Sequence, residues 1–327
     1  MLNIIRKKLR YIKSKKYRKN LVKTRKRRYK KMQGGFNTKI KLFNWWDFTS
    51  QTEGDMCIRF LDKLVKGCSD KYDEIHIYSV YPIDAQIPPL DPPTKVLRIQ
   101  YSGERSFRDP AMFHINYISG EHQSTNNILI FPYMSFYMNC YNIRLTDFIV
   151  TRKYETPQSK FCLFSVTNGN AEDRIKFYNE LMKYKKVDSC GKFMNNLGYN
   201  CPGNFGTKEY HDFISQYKFM ICFENSSVKN YLSEKLINAY KCGTIPIYWG
   251  CPNVEDYVNT DAILYLKPGY TDDDVKTLIK EVEILDNDPI QYKKKYESIF
   301  FKNGVVPDSF NMEKITLEIC KHASLLN

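Results

Sequence analysis

Hydrophobic and polar positions follow their most regular pattern between residues 219 and 250. An apolar, β-favouring run over 219–223 gives way to four polar residues, which is typical of a buried strand that leads into a loop. Apolar side chains then recur at helical spacing over 232–240, and a glycine follows as a helix stop. A second apolar run over 244–248 predicts another strand. The stretch therefore predicts one βαβ unit, with its loop at the carboxyl edge of a parallel sheet, where ligands bind in doubly wound folds.

Shorter apolar runs elsewhere predict more elements of the same kind. Strands are expected near residue 40 and over 75–80, 96–101, 113–118 and 161–166, and helices over 56–65 and 171–184. Short strands that close on polar residues, with helices between them, indicate α/β domains. The segment 140–158 is polar and carries a proline, so we interpret it as the link between two such domains. The predicted organisation is a tail over 1–35, a first domain over 36–150 and a second domain over 151–327.

The charge of the chain is concentrated at one end. The formal net charge is +14, and 43% of the 327 residues are hydrophobic, which suffices for two domains with their own cores. Residues 1–35 hold 16 Lys and Arg and no acidic residue, which leaves 34 basic against 36 acidic residues in the remainder. The predicted globular part is therefore nearly neutral, and the basicity belongs to the tail.

The basic tail has three interpretations. Its scattered apolar residues, among them Leu2, Ile5 and Leu9, lie at partly helical spacing, which suits a basic amphipathic helix on an anionic membrane surface. An unfolded, solubilising arm would have the same composition. Non-specific nucleic-acid binding is the least favoured of the three interpretations. No specific nucleic-acid partner is expected. The sequence shows neither an apolar run of membrane-spanning length nor the apolar core of a signal peptide. We therefore expect a cytoplasmic protein, peripheral on a membrane if its tail binds one.

The cysteines and the acidic strings bear on metal binding. Ten cysteines are dispersed without any C-x-x-C pair, so free thiols in a reduced compartment are expected, and no Cys/His cluster indicates a structural metal site. Two D-x-D strings, at 272–274 and 286–288, need weighing because closely spaced acids can hold a metal ion. Thr271 followed by three acids, and an acid before Pro289, favour helix capping instead.

The start of the helix in the βαβ unit carries candidate chemistry. There is no G-x-G-x-x-G and no G-K-S/T, so neither a dinucleotide fingerprint nor a Walker loop explains the unit. Instead Glu234 and Lys235 open the helix, and Asn225 and Tyr231 lie in the preceding loop. A helix start offers free N–H groups and a positive dipole to an anion, and the lysine adds a full charge. The residues indicate an anion site, and ordinary surface charges in a first turn are the alternative.

Two motifs resemble those of a known family. The segment F-E-N, followed by Tyr231, S-E-K-L-I-N-A-Y and G-T-I-P-I-Y-W-G, resembles the donor-binding motif of the α-1,3-fucosyltransferases, and the block 161–200 resembles the same family just upstream. The resemblance is strong over about 155–260 and weaker over 39–104. The first 35 residues and the last 60 or so show no distinctive match.

The resemblance implies a fold of the GT-B type, with two Rossmann-like domains facing each other across a cleft. GDP-fucose would bind to the second domain, and an oligosaccharide or glycoconjugate acceptor to the first. In the family an arginine that matches Arg174 contacts the donor diphosphate, and guanidinium geometry suits two phosphate oxygens. From the residues alone, Arg174 on the solvated face of an amphipathic helix is the alternative. The resemblance further implies that the donor is bound by Asn225, Tyr231, Glu234 and Lys235.

The segment Y-S-G-E, which ends at Glu104, resembles the Y-T-G-E of bacterial members, whose glutamate serves as general base. The expected catalytic residues are therefore Glu104 as the base and Glu234 as a carboxylate that steadies an oxocarbenium-like centre. Without the family, Glu104 is interpreted as a surface loop residue. His114, Glu121 and His122 lie in neighbouring loops and are candidates for acceptor contact.

The expected activity is inverting transfer of fucose from GDP-fucose to a saccharide hydroxyl, α-1,3 to N-acetylglucosamine or glucose. No cofactor and no metal site are expected to be required, and stimulation by Mn²⁺ or Mg²⁺ stays open. One alternative is a related GT-B transferase that uses another sugar nucleotide or makes another linkage. The other is a non-catalytic saccharide- or anion-binding protein.

Overall fold

The computed structural model forms two parallel sheets, one in each half of the chain. It describes residues 40–43, 71–80, 95–122, 127–155, 157–167, 169, 171–203 and 207–324, together with residues 61, 63 and 65. The basic tail over 1–35 lies outside these residues, so its predicted roles are not addressed by the fold. Among the helices that are described, none combines the length and hydrophobicity needed to span a bilayer.

The first sheet has five strands in simple sequence order. They are β1 (Ile40–Phe43), β2 (Glu74–Tyr78), β3 (Val96–Ser102), β4 (Ile115–Ile118) and β5 (Ile128–Ile130), and each pairs in parallel with the next. The first four confirm the strands expected from the apolar runs. The strand β5 was not predicted, because three residues are too few to show a period.

The second sheet has its strands in the order β10-β9-β8-β6-β7, all parallel. The strands are β6 (Lys160–Phe164), β7 (Asp188–Ser189), β8 (Tyr217–Ile221), β9 (Ile245–Tyr248) and β10 (Leu264–Tyr265). From β6 the chain moves to one side for β7 and then to the other side for β8. The strand order therefore reverses at β6, which is where open parallel sheets form a ligand crevice.

The helices connect and cover these strands. They are α1 (Tyr133–Cys140), α2 (Glu172–Tyr184), α3 (Lys208–Ile214), α4 (Glu234–Lys241), α5 (Asp272–Asn287), α6 (Pro289–Tyr296) and α7 (Met312–Ser324), and residues 61, 63 and 65 are helical as well. The predicted βαβ unit is confirmed as β8, α4 and β9, with a register that pairs Ile221 with Ile247.

Two helices join the halves of the molecule. Met134 and Tyr137 of α1 pack with the core that surrounds α4, whereas Phe136 on the opposite face of α1 packs with the first sheet. The last helix, α7, contributes Ile315 and Ile319 to the core of the first sheet, although it follows the second sheet in sequence. An amphipathic helix buries its apolar face on whichever sheet is still uncovered, and sequence order does not say which sheet that is.

The predicted link over 140–158 is anchored by one half-buried cation. The Arg152 guanidinium lies 3.6 Å from the ring centroid of Tyr240 and 4.1 Å from that of Tyr296. It also donates a 2.6 Å hydrogen bond to the backbone oxygen of Tyr240. Cation–π contact and hydrogen bonding together compensate the burial of its charge, so the link is held against α4 and α6.

The D-x-D strings have different outcomes. Thr271 and Asp274 form a reciprocal capping box at the start of α5, and Asp288 caps α6 through the backbone N–H groups of Ile290 and Gln291. Capping is therefore confirmed at these positions. It is wrong for Asp286, which is buried and forms ion pairs with Lys185 and Lys218 from neighbouring elements.

Candidate active site

The candidate site lies at the carboxyl edges of β6, β8 and β9. Its central element is the start of α4, where Ser233 is the N-cap and accepts a hydrogen bond from the backbone N–H of Lys235. Serine in extended backbone geometry is a favourable cap because its hydroxyl occupies one of the free N–H groups. The sequence predicts that the polar residues after β8 form a loop that leads to a helix N-terminus, and the structure confirms it.

Glu224 is the most buried ionisable residue of this loop, and the sequence did not single it out as a site residue. It is 0% exposed, and its carboxylate accepts hydrogen bonds from the Ser233 backbone N–H and from the Ser233 hydroxyl, each at 2.8 Å. The ammonium of Lys235 lies 3.1 Å from the same carboxylate. One sequence signal could have identified Glu224, namely its position directly after a fully apolar run. A carboxylate that is buried there needs partners.

Lys235 lies beside this carboxylate and is partly exposed. Its side chain is 19% exposed, and its ammonium also donates to the Ser233 hydroxyl at 2.9 Å. Burial acts to lower the pKa of Lys235, but the charges of Glu224 and Glu234 outweigh it, so that the pKa is raised. The lysine is therefore a cation at every physiological pH.

Arg174 lies in the first turns of α2 and is buried. Its guanidinium donates to the backbone oxygen of Phe223 at 2.8 Å and to the side-chain oxygen of Asn225 at 2.7 Å. Burial lowers the pKa of Arg174, and the nearby Glu224, Tyr231 and Glu234 act in the opposite direction. The alternative of a solvated surface arginine is wrong, because the helix turns this position towards β8.

Tyr231 is buried in the loop between β8 and α4. Its neighbour Asn230 has a φ of 61°, a left-handed conformation that asparagine tolerates better than most residues. The following residue, Leu232, accepts a 2.8 Å hydrogen bond from the backbone N–H of Met134 in α1. The loop that carries Tyr231 is thus held by both halves of the molecule.

Glu104 follows the carboxyl end of β3 and is half-buried. Burial raises the pKa of Glu104; the charge of Lys235 opposes this, and Glu234 and Glu224 add to it. The two regions are also joined by a hydrogen bond, because the Asn230 side-chain amide in the loop before α4 donates to the backbone oxygen of Gly120 in the turn after β4 at 3.3 Å. A Cβ on Gly103 would lie 2.6 Å from the Tyr133 ring, so only glycine allows the loop to run this close to α1.

The candidates for acceptor contact divide between the two edges of the first sheet. Glu121 and His122 follow β4 and share the carboxyl edge with Glu104. His114 precedes β4, is buried, and accepts a hydrogen bond from the backbone N–H of Arg98 through Nδ1 at 2.9 Å. The structure therefore does not bring His114 together with Glu121 and His122, because residues before a parallel strand lie at its opposite end.

A disulfide between Cys190 and Cys201 closes a loop that follows the carboxyl end of β7 in the second sheet. The loop follows β7, and a Cβ on Gly191 would lie 2.0 Å from the backbone oxygen of Val166, so the chain there runs directly against the segment after β6. The expectation of free thiols is wrong for this pair. It holds for the described cysteines Cys140, Cys162, Cys222, Cys242, Cys251 and Cys320.

The family model described as glycosyltransferase family 10 (fucosyltransferase), C-terminal part, matches residues 155–327. This range contains α2, the loop between β8 and α4, and the whole of the second sheet. The chain belongs to glycosyltransferase family 10. The predicted relationship to the fucosyltransferases is therefore confirmed.

Individual relatives extend the comparison. The α-(1,3)-fucosyltransferase FucT of Helicobacter pylori is 42% identical over 120 residues, which are 33% of this chain and 24% of that protein. The GDP-fucose protein O-fucosyltransferase 3 of Xenopus laevis is 29% identical over 168 residues, which are 48% of this chain and 35% of that protein. The matched segments thus span about a quarter and a third of these relatives.

Solved structures support the fold over a longer range. A crystal structure of an α1,3-fucosyltransferase has a TM-score of 0.63 with this chain at 21% identity, and covers 87% of this chain and 89% of its own. A structure titled as that of an α1,3-fucosyltransferase with GDP-fucose has a TM-score of 0.60. The predicted GT-B architecture, with two α/β halves and parallel sheets, is confirmed.

Proposed function

We propose that the chain transfers fucose from GDP-fucose to an acceptor hydroxyl, with inversion at the anomeric carbon. The observation that carries the proposal is the convergence of two cations and a helix N-terminus on one edge of the second sheet, opposite a carboxylate with a raised pKa on the first. This arrangement suits a reaction in which a diphosphate leaves while a hydroxyl is deprotonated.

Donor binding follows from the charges. The departing GDP needs its negative charge neutralised more than it needs a proton, and Arg174, Lys235 and the start of α4 supply positive potential without a metal. We therefore propose that no cofactor or metal is required. Asn225, which holds the Arg174 guanidinium, and Tyr231 would bind the nucleotide or the sugar, and Glu234 would steady positive charge at the anomeric carbon.

Acceptor activation is assigned to Glu104. Its raised pKa strengthens it as a base, and the residue follows the carboxyl end of β3, on the other half of the molecule from the two cations. As the hydroxyl attacks the anomeric carbon from the side opposite the phosphate, Glu104 accepts its proton. Attack from that side inverts the configuration.

For the acceptor, we propose a saccharide and an α-1,3 linkage to N-acetylglucosamine or glucose, supported by the similarity to the Helicobacter pylori enzyme. A hydroxyl on a polypeptide is the second candidate, because a relative named as a protein O-fucosyltransferase matches nearly half of the chain. The two acceptors differ in what surrounds the hydroxyl, and share the donor and the base.

The test is incubation of the purified chain with labelled GDP-fucose and acceptors that end in N-acetyllactosamine, lactose or N-glycan cores, with a folded polypeptide panel in parallel. NMR of the product gives the linkage and the anomeric configuration. Transfer to a saccharide supports the main proposal, and transfer to polypeptide alone supports the second. GDP-mannose in place of GDP-fucose tests donor identity, and GDP binding without any transfer would favour a non-catalytic binding protein.

A further inference from the structure

The carboxylate of Glu224 has no role in the mechanism above, yet it is the most enclosed charge of the site. It is 0% exposed, and its backbone N–H donates to the oxygen of Trp249 at 2.9 Å, which ties it to the end of β9. A buried carboxylate is costly unless it is paired and hydrogen-bonded. The partners of the Glu224 carboxylate must therefore offset the cost of burying its charge.

All of its side-chain partners belong to the start of α4. One oxygen accepts from the Ser233 backbone N–H, and the other accepts from the Ser233 hydroxyl and the Lys235 ammonium. Because Lys235 also donates to the Ser233 hydroxyl, the three side chains form a closed triangle. A four-carbon lysine stem would otherwise sample many rotamers, and the triangle restricts the ammonium to one location.

The opposite side of Glu224 is shaped by a glycine. Gly250 has a φ of 148°, and a Cβ at this position would lie 2.5 Å from Cγ of Glu224 and 2.6 Å from its Cβ. Any larger residue would displace the carboxylate from the triangle. The end of β9 thus leaves room for this one side chain.

We propose that Glu224 is a positioning residue of the transfer reaction, which holds the Lys235 ammonium and the Ser233 cap in place for the diphosphate and moderates the field of Lys235 at Glu104. The inference rests on the proposed function and adds to it a residue that touches neither substrate. Lys235 alone would be a mobile cation, whereas Lys235 with Glu224 is a fixed one.

The effect on Glu104 separates this role from simple structural support. The Glu224 charge raises the pKa of Glu104, and the Lys235 charge lowers it. If Glu224 is made neutral, Glu234 still acts against Lys235 and Arg105, but the contribution of Glu224 is lost, so the pKa of the base falls. The acidic limb of the pH profile of kcat/KM then moves to lower pH.

The experiment compares Glu224→Gln with the wild type by GDP calorimetry, by the pH profile of kcat/KM for fucose transfer, and by thermal unfolding. Glutamine keeps the shape of the side chain and can still accept from the Ser233 backbone, but it removes the charge. We expect GDP affinity to fall by roughly tenfold, as for loss of a charge-assisted contact, and the acidic limb to move to lower pH.

Two variants complete the test. Ser233→Ala opens the triangle but keeps the carboxylate, so GDP affinity should fall by a smaller factor while the acidic limb stays in place. Glu255→Gln makes the same charge change at an exposed residue of the second half and should alter neither quantity. If Glu224→Gln does not fold, Ser233→Ala still decides, since unchanged GDP affinity in that variant overturns the proposal.

The outcomes are distinct. A folded Glu224→Gln protein with wild-type GDP affinity, or with reduced affinity and an unmoved acidic limb, overturns the positioning role while the proposed function stands. A wild-type protein that neither binds GDP nor transfers fucose overturns the proposed function, and the inference falls with it.

Discussion

The side-chain amide of Asn230 donates a hydrogen bond to the backbone oxygen of Gly120, 3.3 Å away, and so connects the loop between β8 and α4 to the turn after β4. The Ser119 hydroxyl donates in return to the backbone oxygen of Asn230 at 3.4 Å. On the other side, the side-chain oxygen of Asn230 accepts from Asn253 and Tyr257. One residue thus links both halves of the molecule beside Tyr231.

Replacement of Asn230 should therefore destabilise the protein in two separable ways. Asn230→Gly removes the side-chain hydrogen bonds, at a cost of about 1 to 3 kcal/mol in the free energy of unfolding. Asn230→Ala adds the cost of a positive φ, roughly 1 kcal/mol more. Urea unfolding of the wild type and the two variants measures the cost of the lost hydrogen bonds and the cost of the positive φ. Equal stabilities of the Ala and Gly variants would show that the left-handed conformation is not maintained in solution.

The two cations of the site should be required for GDP binding. Arg174→Ala and Lys235→Ala each remove a charged hydrogen-bond donor, so each should weaken GDP affinity by roughly 1.5 to 3 kcal/mol. Isothermal calorimetry gives the affinity directly. Lys241→Ala, an exposed change in the last turn of the same helix, is the matched control. Unchanged affinity in both site variants would mean that the diphosphate binds elsewhere.

Glu104→Gln should separate transfer from donor binding. Loss of a general base costs about 10² to 10⁴-fold in kcat, while GDP affinity should persist because the proposed GDP-binding residues lie on the other half. Because the base acts in its ionised form and its pKa is raised, wild-type activity should fall, as pH is lowered, at a higher pH than an ordinary glutamate would give. The variant should lack this acidic limb.

The variant Glu121→Gln, at an exposed glutamate on the same edge of the first sheet, tests the alternative base. It should retain most of its kcat. If Glu104→Gln is active and Glu121→Gln is not, the base has been assigned to the wrong loop.

The Cys190–Cys201 disulfide should contribute to stability. It joins residues 11 positions apart, and closure of a loop of this size contributes about 2 to 4 kcal/mol. Cys201→Ser should therefore lower the melting temperature, and addition of a reductant should lower that of the wild type to a similar value. A wild-type melting temperature that is insensitive to reductant, with free-thiol titration showing both cysteines reduced, would mean that the bond is absent in solution.

Deletion of residues 1–33 tests the division between tail and globular part. Fucose transfer to small acceptors should be largely retained, while binding to vesicles with anionic lipids should weaken and lose its dependence on salt. Vesicle sedimentation at two ionic strengths measures the binding. A truncated protein that no longer binds GDP would contradict this division.

The sequence by itself determined the features that rest on neighbours within a few positions. The βαβ unit from β8 to β9 was predicted because apolar spacing repeats within each element, and the capping box of Thr271 and Asp274 because its two residues are three apart. The anion site at Glu234 and Lys235 was predicted from the contiguous loop and helix start, whereas a donor-binding role for these residues is what the family resemblance implies and stays a prediction.

Only the tertiary structure decided which distant segments meet. Glu104 and Lys235 are 131 positions apart, and their electrostatic coupling depends on how the halves face each other. The pairing of Cys190 with Cys201, the ion pairs of Asp286 and the packing of α7 on the first sheet depend likewise on the path of the chain. Residue spacing encodes periodic burial within an element, whereas partners across the fold are selected by the space that the other elements leave.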